Sequence, residues 1–164
     1  MDSKNPTFTE PDNTLKQKVG EGGIPAYLIK KCQDFLESNP VDFTPYAQRF
    51  LQDMEDIARQ IEKEDVEPAA ALARIVNIIM QLKSNGSMFH YQLLSMTSDV
   101  MLRFLENVKG LDQDFLDILA VYTRIVGIIL NKRLNGTGGR EGYLLTQELH
   151  GACLRYYSKY AIQV

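Results

Sequence analysis

Apolar residues recur at intervals of three and four over most of the chain, the pattern of amphipathic helices. The clearest stripe is Leu72, Ile75, Ile79, Leu82 and Gly86, which would share one buried face of a helix opened by Asp65 or Glu67 with Pro68. Before it, Pro25 suits the first turn of a helix running to about Ser38, with Leu28, Cys32, Phe35 and Leu36 inward and Asn39-Pro40 as the stop. Thr44-Pro45 reads as the N-cap and first turn of a second helix to about Lys63, with Tyr46, Phe50, Met54, Ile57 and Ile61 on one face. Asp53, Glu55 and Asp56 give that helix a solvated acidic side.

Asn85-Gly86 is a turn dipeptide, which leaves two readings of the helix begun near Pro68: it stops there and restarts near Phe89, or it continues somewhat further. From Phe89, the residues Leu93, Leu94, Val100, Met101, Phe104, Leu105 and Val108 form a broad stripe that Gly110 ends. Asp112 caps the next helix, whose inward residues are Phe115, Leu116, Leu119, Tyr122, Val126, Ile129 and Leu130. A last helix, about Gly142 to Tyr160, turns Leu145, Leu149, Cys153, Tyr156 and Tyr157 inward. The expected organisation is a flexible arm over 1–23, a helical bundle over 24–134, and a Gly-rich connector with a C-terminal helix over 135–164. That helix is expected on the bundle or on a partner, a homodimer through it being one outcome.

Composition narrows the function. The chain has 164 residues, 45% hydrophobic and 24% charged, with a formal net charge of -3. That length suits one domain with a sizeable core. The acidic balance argues against nucleic-acid binding, which needs a concentrated basic face. No window reaches the roughly 20 apolar residues of a membrane span, so a cytoplasmic protein is expected. Cys32 and Cys153 lie far apart and form no metal-ligand cluster with His90 or His150, so buried reduced thiols are expected and no cofactor or metal. Asn135-Gly136-Thr137-Gly138-Gly139 lacks the preceding strand and the Gly-Lys-Ser/Thr ending of a phosphate loop and reads as a helix connector. No nucleophile elbow or metal spacing occurs, and no enzyme class is expected.

At about 100° per residue, Met80 falls well off the buried stripe of its helix. A large apolar side chain is thereby placed among small polar ones, Asn77, Ser84 and Ser87, with Gln81 and Lys83 beside it. The run Met80-Gln81-Leu82-Lys83-Ser84, with Phe89 and Tyr91 following, resembles the signature of histidine-containing phosphotransfer (HPt) domains, His-x-Leu-Lys-Gly followed six residues later by Gly and an aromatic. Leu82, Lys83, Phe89 and Tyr91 match. Ser84 replaces the first glycine, Met80 stands where the family carries its phosphorylated histidine, and His90 stands at the second glycine.

The resemblance implies an all-α fold: an antiparallel four-helix bundle, HPt-like, with an additional N-terminal and an additional C-terminal helix. A thioether is no phosphoryl acceptor, so the implied role is a non-catalytic adaptor in bacterial two-component or chemotaxis-type signalling. It would dock a response-regulator receiver domain or a histidine kinase through Asn77, Met80, Gln81, Lys83, Ser84 and Ser87. Two alternatives stand beside it. One is an active phosphorelay protein using His90, which lies about 15 Å further along the helix axis than Met80. The other is a helical oligomerisation or structural protein without a signalling partner. His150, beside the Leu149 stripe, reads as structural.

Overall fold

A computed structural model describes residues 13–20, 23–38 and 42–162. The described residues form seven helices and no strand: α1 (Thr14–Val19), α2 (Ala26–Ser38), α3 (Thr44–Glu62), α4 (Pro68–Met88), α5 (Gln92–Glu106), α6 (Gln113–Asn131) and α7 (Gly139–Lys159). The chain divides into two compact units, Met1–Val41 and Asp42–Val164. Among the described residues no helix is long and apolar enough to cross a membrane.

In the first unit α2 lies over the expected residues, but its stripe is not buried. Leu28, Cys32 and Phe35, expected to face inward, are all exposed, as is every other described side chain of the helix. Helical periodicity shows that a helix has an apolar side; it does not supply the surface that covers it. The Leu36 side chain lies outside the described residues, as does most of the arm expected over 1–23, within which Thr14–Val19 is helical.

The second unit is a helical bundle. In it α3 packs on α4 and α6, α4 on α5, and α5 on α6, so the four helices close a ring; α7 packs on α5 and α6. Helix starts follow the local chemistry. Glu67 accepts a hydrogen bond from the Ala70 N–H at 2.7 Å, with Pro68 following it, and Asp112 accepts one from the Phe115 N–H at 3.0 Å. At α3 the expected cap is displaced: Thr44 lies inside the helix, and the carboxylate of Asp42 accepts its N–H. That bond holds the Asp42 carboxyl below the usual range.

The core follows the stripes closely in α4 and α6, where all seven inward residues expected of α6 are buried. In α3, Met54 and Ile57 are buried, whereas Tyr46 is exposed and its neighbour Ala47 takes the inward position. Phe43, just before α3, stacks on Phe89 with centroids 5.1 Å apart. Phe104 lies at the centre of an aromatic group, 6.3 Å from Phe115, 5.0 Å from Tyr156 and 6.0 Å from Tyr157. The aromatic end of α7 therefore packs inward: Tyr156 and Tyr157 are buried, and Tyr160 donates to Asp112 and Asp114.

Several polar groups lie in the core, two of them informative. Ser98 and Tyr122 share a buried hydrogen bond of 2.7 Å between α5 and α6, and burial pushes the Tyr122 phenol far up, so it stays neutral. Cys153 is buried, and its thiol is pushed up to about 11 by the loss of water. It is inert at neutral pH, because the thiolate is the reactive form. Cys32, expected to be buried as well, is exposed.

Candidate functional site

The outer side of α4 is built by its own period. Residues 77, 80, 81, 84, 87 and 88 fall within one sector of a helix turning about 100° per residue, opposite the buried residues Ile75, Ile79, Leu82 and Gly86. Asn77, Met80, Gln81, Ser84 and Ser87 are all exposed, and Met80 keeps 56% of its surface in water. The face thus consists of short amide and hydroxyl side chains around the Met80 thioether, with a second thioether, Met88, at its C-terminal end. Met88, one further turn pair along, is also exposed, at 70%. The same spacing could have identified it.

Lys83 behaves differently from its neighbours. It is half-buried, and its Nζ donates to Asp99 Oδ1 of α5 at 2.7 Å; Arg103 approaches the other oxygen at 3.2 Å. The bond from Lys83 is the main reason the Asp99 carboxyl is held below its usual range. The Lys83 charge is thereby already offset within the protein. Both partners are more than a third exposed, so the pair is a surface ion pair, a weak contributor to stability.

The helix does not break at Asn85-Gly86. It continues to Met88, and the glycine serves packing: a Cβ there would lie 2.9 Å from Ser95 Oγ and 3.2 Å from Leu94. Ser95 uses that close approach to donate to the Lys83 carbonyl at 2.6 Å and to pair with Ser87 Oγ at 3.0 Å. Asn85 turns its amide back onto the Gln81 carbonyl at 2.8 Å, within the helix.

The turn comes instead at His90. This residue is exposed and adopts φ 64°, the left-handed conformation that ends a helix and favours glycine. The backbone there is tied to the turn between α6 and α7: Gly136 N–H donates to the His90 carbonyl at 2.7 Å, and Leu93 N–H donates to the Gly136 carbonyl at 2.8 Å. His90 lies beyond the end of α4, off the face that carries Met80. Replacing His90 with glycine removes the left-handed penalty at the cost of a freer unfolded chain, and is expected to stabilise the protein by about 0.5–1 kcal/mol. Thermal unfolding of the two proteins side by side measures it.

Chemically the α4 face offers contact surface and neutral hydrogen bonds. Met80 offers polarizable apolar contact; the serines and amides offer neutral hydrogen bonds. Among the described residues no group of three or more His, Cys, Asp or Glu side chains is placed to hold a metal ion. The chain matches no protein-family model, and no curated protein and no solved structure matches it.

Proposed function

We propose that this chain is a non-catalytic, HPt-like adaptor. In this reading α3 to α6 form an antiparallel four-helix bundle, its successive helices reversed by short links. The outer face of α4 docks a receiver domain or a histidine kinase. The observation that carries the reading is Met80, more than half exposed on a helix face that also carries short polar side chains and, at its C-terminal end, Met88. Apolar contact at the centre and neutral hydrogen bonds around it suit a protein partner, since interface cores are depleted in charge and enriched in methionine. Asn77, Gln81, Ser84 and Ser87 form the rim, and Lys83 with its partner Asp99 bounds it.

The test is binding of purified receiver domains and kinases by calorimetry. Met80→Glu with Ser84→Arg places charge on the patch and is expected to weaken binding at least tenfold. Both positions are exposed, so circular dichroism should show an unchanged fold. A partner bound equally well by the double variant defeats the proposal. His90→Ala is expected to leave binding unaltered, because that side chain stands past the helix end.

A further inference from the structure

The α2 helix carries a second surface, independent of the α4 face. Its start and first turns expose Ile24 at 71%, Tyr27 at 70%, and also Leu28 and Ile29. Leu28 and Cys32 follow one another at four-residue spacing along one side of the helix. The charges along the helix are sorted by position: Lys30 and Lys31 lie in its first half, Asp34 and Glu37 in its second. For an isolated helix this order is unfavourable. The first turn holds no acid and the last no base, while Glu37 sits toward the negative end of the dipole.

We propose that α2 pairs antiparallel with α2 of a second copy of this chain, about a two-fold axis close to Cys32. A parallel copy would set lysine against lysine. An antiparallel copy sets the basic half of each helix against the acidic half of the other, and Lys31 beside Asp34 of the second copy, twice. Two bases and two acids leave the helix uncharged overall, so association meets no net repulsion. An anionic membrane surface is a poorer occupant, because such helices carry an excess of Lys and Arg on the polar side. Thirteen residues span only about 20 Å. The interface lies at the small end of specific contacts, and the dimer is weak and concentration-dependent.

Sedimentation equilibrium of the full chain is the measurement, with copper–phenanthroline oxidation as the reporter of geometry. In the oxidation, two Cys32 thiols give up two electrons and two protons to the copper and dioxygen, and one S–S bond joins the copies. The wild type is expected to dimerise as concentration rises and to cross-link through Cys32. Lys31→Glu alone and Asp34→Lys alone should each weaken the dimer at least tenfold, and the two together should restore it. A chain that stays monomeric, a dimer indifferent to both single changes, a double variant that fails to recover, or a monomer that binds anionic phosphatidylserine vesicles would each overturn the proposal.

Discussion

Phe104→Ala is expected to cost the fold about 3–5 kcal/mol, the range for emptying a large aromatic position in a packed core. Phe104 is fully buried and touches aromatic rings from two other helices: Phe115 of α6, and Tyr156 and Tyr157 of α7. The cavity would open where α5, α6 and α7 meet. Collapse to fill it is resisted because the neighbouring tyrosines are tethered. Tyr156 Oη accepts the Lys109 N–H at 3.1 Å, and Tyr160 is held by Asp112 and Asp114. Edge-to-face packing of Phe104 on Tyr156 adds about 0.5–1.5 kcal/mol beyond buried area. Urea denaturation followed by far-UV circular dichroism reads the loss; a cost below about 1 kcal/mol would mean that this aromatic group is not packed as described.

Gly142→Ala sets two effects against each other. Gly142 lies in the first turn of α7, where alanine is ordinarily the better helix former by about 1 kcal/mol. Here its Cβ would fall on the Thr137 carbonyl oxygen and within 3.1 Å of both Leu93 methyl carbons. The Thr137 backbone has little room to yield. Its neighbour Gly136 is bonded on both sides to the α4–α5 corner, and the Gly142 N–H donates to the Gly138 carbonyl at 3.0 Å. Overpacking against backbone therefore outweighs propensity, and the expected net loss is about 2–3 kcal/mol. Gly127→Ala in α6 provides the opposite sign within the same protein. A Cβ there meets nothing within 4 Å, so a gain of about 0.5–1 kcal/mol is expected from the same denaturation experiment.

These glycines show where sequence reading succeeds and where it stops. Long, regular stripes were legible: α6 buries each of its expected inward residues, and Met80 emerges where its angle off the α4 stripe put it. Both follow from helical period alone, which needs no knowledge of partners. Gly86 falls on the buried stripe by period, but the asparagine before it is a turn signal, so the end of the helix stays open in the sequence. The role of Gly86 depends on Ser95 and Leu94 of another helix. The Lys83 ion pair is illegible for the same reason, since Asp99 lies 16 positions away and only packing brings it near. Tyr46 and Ala47 exchanged roles: hydrophobicity ranks tyrosine above alanine, whereas the start of α3 buries the alanine. For α2 the difference is of another kind: its amphipathic pattern is present, but its described side chains are exposed.

The pair of backbone bonds through Gly136 joins two corners that are distant in sequence. Neither the Gly136 amide nor the Leu93 amide can exchange its hydrogen until those corners part, so both protons should exchange with one common opening rate. On that expectation, the end of the Met80 helix and the entry to the last helix form a single latch, and hydrogen exchange followed by NMR at the two amides checks it.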